Sequence, residues 1–177
     1  MKKLLLAPLF LLVVSIGGKT YADSKPVDVK GWQSAKWGMT SDEVRAVFGK
    51  NATAREPKED AQEGVYSDIE LSGLDWGGSE FRASLWMDSE TKRLKKIVFV
   101  PTEKPDGFKW AEMFIKLEES LVDKYGAPDV EETSNDPGTS AERKWIFPST
   151  LIEMSYLRIE DTELLLLVFS ENDKSQD

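Results

Sequence analysis

The chain predicts an α+β fold of two helix-plus-three-stranded antiparallel sheet halves, with an element order that fits a tandem repeat. Three observations carry this expectation. Trp37 to Gly49 specifies a short helix almost completely, a second helical pattern ends at Tyr125-Gly126, and each is followed by a long polar stretch and three strand-like segments. Val44, Phe48 and Gly49 stand 77 residues before Leu121, Tyr125 and Gly126. Residue identity between the halves is slight, so the repeat is read from element order. The alternative is a single α+β domain in which both helices cover one continuous antiparallel sheet.

Taken in order, Asp23 to Lys30 is polar and reads as a loose leader. In the first helix Thr40 and Glu43 have the spacing of a capping box, and Met39 and Val44 that of a hydrophobic staple. Val44, Val47 and Phe48 give one apolar stripe, and Gly49 suits the left-handed residue that ends a helix. Lys50 to Gly64 is charged and without hydrophobic period, which predicts a long polar loop. Val65 to Leu71 reads as a strand, and Ser72 to Ser79, with Gly73, Gly77 and Gly78, as a turn region. Phe81, Ala83, Leu85 and Met87 alternate with Arg82, Ser84, Trp86 and Asp88, the period of a half-buried strand. Leu94 to Val100 is a third strand, ended by Pro101.

The order then restarts. Asp106 is a candidate cap, and Trp110, Met113, Phe114, Leu117, Leu121 and Tyr125 fall at helical spacing before Gly126 and Pro128 stop the helix. Glu131 to Ala141 predicts a second polar loop with a turn at Asn135-Asp136-Pro137-Gly138. Strands are expected at Glu142 to Phe147, Leu151 to Ile159 and Thr162 to Ser170. The expected boundaries are 1–22 for a signal peptide, 23–103 and 104–170 for the two halves, and 171–177 for a polar tail.

The leader assignment rests on Lys2 and Lys3, the apolar run Leu4 to Ile16, and small residues at Thr20 and Ala22. Thirteen residues are too few for an ordinary membrane-spanning helix of about 20, which disfavours an uncleaved anchor. Cleavage is expected after Ala22, with a periplasmic or secreted protein as the product. The leader carries Lys2, Lys3 and Lys19 and no acidic residue, so its removal takes the formal charge from −9 to −12. Such a balance disfavours nucleic acid and anionic lipid as partners. With no cysteine there are no disulfides and no acylated N-terminal cysteine, and stability falls to the hydrophobic core.

The run Trp37-Gly38-Met39-Thr40, followed by Val44 and Gly49, resembles the helix start of secreted bacterial proteins, among them the outer-membrane assembly lipoproteins of the BamE/SmpA type. The ending Tyr125-Gly126-Ala127-Pro128 is similar to the helix ending found there. The tandem helix-and-sheet order also resembles the secreted β-lactamase inhibitor proteins. These likenesses cover about thirty residues directly and concern helix capping. The chain departs from the assembly lipoproteins in lacking their lipid-bearing cysteine and in being about twice their length. The resemblance implies an envelope or secreted setting and assigns no functional residue.

Without histidine or cysteine, Ser-His-Asp and Cys-His catalysis, thiol redox chemistry and the commonest zinc ligands are excluded. Paired carboxylates remain formally able to hydrolyse, but 32 acidic residues make some pair inevitable. Glu153, Glu160 and Asp161 read as solvent-facing strand or turn residues. Gly73 to Gly78 lacks Gly-Lys-Ser/Thr, and no spaced oxygen-ligand loop for calcium is present, so no cofactor or metal is expected. Trp37, Trp110 and Trp145 read as core. Trp76, in the glycine-rich turn, and Trp86, opposite Phe81, Leu85 and Met87 on its strand, are the candidates for exposed contact, with Arg82 on the Trp86 face; the competing reading has that face covered. The leading expectation is a non-enzymatic binding or adaptor protein whose envelope or secreted protein partner meets Trp86, Arg82 and Trp76. It draws on the two polar loops as recognition surfaces. A small-ligand carrier with a Trp-lined pocket is the alternative, and a carboxylate-dependent hydrolase comes third. The oligomeric state is left open.

Overall fold

The computed structural model describes residues 25–60, 64–103, 109–135 and 138–172. The expected leader 1–22, Asp106, the Asp136-Pro137 pair and the end of the tail lie outside the described residues. A small hairpin, β1 (Gly31–Trp32) and β2 (Ala35–Lys36), precedes helix α1 (Ser41–Phe48) and a single 3-10 turn, Gly49–Asn51. Four strands follow: β3 (Ala52–Asp60), β4 (Val65–Trp76), β5 (Ser79–Asp88) and β6 (Leu94–Pro101). Helix α2 (Lys109–Tyr125) leads into β7 (Val130–Ser134), β8 (Thr139–Ile146), β9 (Thr150–Ile159) and β10 (Thr162–Glu171).

This corrects the expectation of two halves with three strands each. The molecule is mainly β, and one eight-stranded antiparallel sheet runs β3-β4-β5-β6-β10-β9-β8-β7. β6 and β10 meet at its centre, where Val98 pairs with Val168 and Phe99 with Leu167. Both polar stretches read as loops are instead largely strand. β3 and β7 are the two outermost strands, each bonded to one neighbour, β4 or β8. An edge strand needs no apolar alternation, and charge there discourages pairing with other chains, which is why the periodicity hid them. The turn read at 72–79 is also shorter than expected. β4 continues through a bulge between Leu71 and Leu74 to Trp76, and only Gly77 and Gly78, with φ of 62° and 80°, make the hairpin loop. Positive φ at both central residues is the twist-matched two-residue connection that glycine supplies.

Side-chain alternation divides the sheet into two faces. Ile69, Leu71, Phe81, Leu85, Ile97, Phe99, Leu167, Phe169, Ile152 and Met154 point to one side and join a single buried cluster. Helix α2 adds Trp110, Phe114, Leu117, Leu121 and Tyr125 to that cluster, and α1 adds Val44. Val47, read as part of the α1 stripe, is exposed; the short helix turns little more than Val44 and part of Phe48 inward. The capping box forms as the spacing predicts, with the Glu43 amide donating to Thr40 and the Glu43 carboxylate accepting from the Thr40 amide. Gly49 has φ 56° and ψ −128°, outside the left-handed helical basin and in a region still less open to side chains.

The segment read as a loose leader is tied down. Lys25 pairs with Asp129 and lies over the Phe147 ring. Asp28 accepts from the Ser149 amide (2.9 Å) and hydroxyl (2.7 Å). Thr150 donates to the Val29 carbonyl, and the Trp37 indole donates to the Thr150 hydroxyl at 2.7 Å. The bonds to Ser149 and Thr150 strap this segment onto the turn between β8 and β9. Trp32, unremarked in the sequence, is 3% exposed and packs on Phe48, Trp76 and Phe99.

Candidate functional site: the uncovered sheet face

Among the described residues neither α1 nor α2 packs on the second face of the sheet. Strand register builds it row by row: Ser84 of β5 lies beside Val98 of β6, Val98 beside Val168 of β10, and Val168 beside Glu153 of β9. One row toward the other end, Arg82 stands beside Val100; in the opposite direction Trp86 stands beside Lys96. Val98, Val100, Leu166 and Val168 thus form a half-buried apolar band along the central join. Beyond it Leu157, Leu164 and Ile146 are exposed on the same face of β9, β10 and β8.

Trp86 flanks this band. It is half-buried, and its indole N–H is covered without any hydrogen-bond acceptor among the described residues. Between Trp86 and Arg82, Ser84 accepts from Arg55 at 2.8 Å. Arg55 and Arg82 both approach the Glu70 carboxylate, at 3.9 and 3.8 Å. The contact is long and leaves the Arg82 side chain 52% exposed. At the far side of the band Glu153 pairs with Lys144, so it is held in an ion pair on this face. Lys144 also pairs with Glu142, and the two carboxylates raise its pKa above the ordinary lysine value.

The three residues singled out in the sequence do not form one surface. Arg82 and Trp86 share the uncovered face, but Trp76 lies on the helix side. It pairs with Ser79, so parity places it with Phe81, and it meets Phe81 and Phe99 edge-on at 6.3 and 5.5 Å. Its indole donates to Ser120 of α2 at 2.9 Å. The shortened turn decides this, since Trp76 belongs to β4 and obeys strand alternation.

Trp76 instead lines a groove of about 480 Å³ between α2 and the tips of two hairpins. Trp32, Gln33, Asp75, Ser120 and Lys124 line it as well. Burial pushes the Lys124 ammonium below its ordinary pKa. Among the described residues Asp75 pairs with no cation and Lys124 with no carboxylate; the Lys124 ammonium lies 5.1 Å from the Tyr125 ring centroid. The sequence offered only Trp76 as a signal here, because the other residues come from separate elements with no motif linking them. Among the described residues no group of three or more carboxylates is placed to hold a metal ion. No helix among them is long and apolar enough to cross a membrane. Comparison with protein-family models, with curated proteins and with solved structures returned no match.

Proposed function

We propose that this is an exported, non-enzymatic binding protein that engages another protein through the uncovered face of its sheet. The observation that carries the reading is Trp86, half-buried beside an apolar band on a face that neither helix covers. Eight strands about 4.8 Å apart and some 30 Å long present on the order of 1,000 Å², comparable to the roughly 800 Å² one partner contributes to a standard interface. Tryptophan and arginine are the residue types that most often dominate such contacts. The partner surface this face fits is apolar, with a carboxylate for Arg82. The two polar stretches do not supply recognition loops, because they are largely edge strands.

The reading is tested with one partner captured from the native envelope and then purified. Trp86→Ala is expected to weaken its binding by roughly 2 kcal/mol or more. Arg82→Ala is expected to weaken it less, and melting temperatures should stay close to wild type. Equal affinity of wild type and Trp86→Ala overturns the proposal. A second reading, carriage of a small ligand, is supported by the groove beneath Trp76.

A further inference from the structure

The uncovered sheet face is complementary to itself about the join of β6 and β10, which has four strands on either side. On the β5 flank Arg82 has one carboxylate partner among the described residues, Glu70, and Arg55 approaches that same carboxylate. On the opposite flank a single ammonium, Lys144, serves two carboxylates, Glu142 at 2.8 Å and Glu153 at 3.3 Å. Arg82 is thus only partly neutralised, and so are the two carboxylates across the join from it. The apolar groups are matched in the same way. The row through Trp86 crosses the join by Lys96 and Ser170 and reaches Leu151 and Ile146 on the other flank. The row through Arg82 crosses it by Val100 and Leu166 and reaches Ser155 and Glu142. Each flank therefore carries a large apolar group in one row and a charge in the next, with the charges opposite in sign. Ile146 is 50% exposed, and the paired Leu157 and Leu164 lie open on the same face. A monomer rarely leaves so much contiguous apolar surface in water.

From this arrangement we propose that the partner of the uncovered face is a second copy of this chain, stacked sheet on sheet about a two-fold axis along the β6–β10 join. This rests on the reading of the face as a protein-binding surface and names its partner. A two-fold axis in the plane of contact exchanges the flanks, so β5 of one protomer lies over β9 of the other, and β4 over β8. Trp86 then packs on the partner's Leu151 and Ile146, Arg82 reaches the partner's Glu142, and the central apolar bands cover each other. Symmetry makes each of these contacts twice. Sheets stacked face to face lie about 10 Å apart with strands crossing at about 30°, a gap that an arginine spans to a carboxylate one strand away. A face on the order of 1,000 Å² per protomer buries about 2,000 Å² in the pair, the size at which homodimer interfaces begin. A partner of unrelated sequence would have to bring an apolar surface beside a carboxylate, and this face already holds both.

Sedimentation velocity of the purified protein between about 1 and 500 µM reads the assembly, and a dimer is expected to dominate the upper part of that range. Arg82→Glu sets like charges against each other at two places and should raise the dissociation constant roughly a hundredfold. Glu142→Lys should do the same from the other flank. An equimolar mixture of these two variants should form a dimer again, because each chain then offers the charge the other needs at both places. Ile146→Asp, at an exposed position, should also dissociate the pair. Melting temperatures close to that of the wild type, compared at concentrations where every protein is monomeric, check that the variants fold. A wild type that is monomeric throughout, with a captured partner whose binding Trp86→Ala weakens, overturns the second-copy assignment and leaves the protein-binding reading in place. A dimer that all three substitutions leave intact uses another surface and overturns the assignment as well. Dissociation of both charge variants without recovery on mixing overturns the two-fold arrangement. A monomer whose captured partner is indifferent to Trp86→Ala overturns both readings.

Discussion

Two tryptophans of one sheet show how differently the same residue type is used. Trp145 is wholly buried and donates to the Gly126 carbonyl at 2.7 Å, joining β8 to the end of α2. Trp86 is half-buried, and its covered N–H makes no hydrogen bond among the described residues. Trp145→Phe should therefore lose a buried hydrogen bond and open a cavity, costing about 2–3 kcal/mol. Trp86→Phe loses no bond and should change stability by less than about 1 kcal/mol. Chemical denaturation of the two variants decides it, and similar losses would contradict the contrast. Alternation on β5 made the outward direction of Trp86 legible from sequence alone. The position of Trp76 was not legible, because it depends on where a bulged strand ends, and Gly73, Gly77 and Gly78 together suggest a wider turn.

At the scale of elements, local rules predicted α1 well. Thr40→Ala should cost about 1 kcal/mol, the usual loss of a capping side chain. Gly49→Val should cost more, since φ 56° with ψ −128° resists any β-branched residue even though no atom stands within 4 Å of the missing Cβ. Equal denaturation midpoints for wild type and Gly49→Val would refute the conformational argument. The helices and the six inner strands announced themselves through caps, stops and alternation, because each turns an apolar face to the core. The edge strands β3 and β7 did not. Thr53 and Arg55, or Glu131, Glu132 and Thr133, meet solvent on at least one side, and their pairing is set by β4 and β8 rather than by their own composition. The uncovered face was half legible: Arg82 and Trp86 could be placed on it. The band of Val98, Val100, Leu166 and Val168 required knowing that β6 and β10 are neighbours, a long-range pairing that no local pattern encodes.

At the scale of the molecule, the strap of residues 25–37 ties the segment before α1 to the β8–β9 turn, and Asp28 makes it sensitive to acid. Burial raises the Asp28 carboxyl, but bonds from the Ser149 hydroxyl and amide outweigh it and hold the pKa below its ordinary value. A carboxyl depressed in the folded state stabilises above its unfolded pKa, and that contribution is lost as pH falls through the folded value. Asp28→Asn should therefore be less stable than wild type near pH 7, with the gap closing below about pH 4. Denaturation midpoints across that range check it, and a gap that stays constant down to about pH 2 would contradict the assignment. The central pairing of β6 with β10 has a consequence in time. Synthesis delivers a chain from its first residue onward, so β6 emerges long before its partner. Until residues 162–171 arrive, Ile97 and Phe99 have no neighbour on that side and the middle of the sheet is an open edge. Closure of the sheet's centre thus waits for a strand far along the chain from β6, and until then the growing sheet keeps an unpaired edge in its middle.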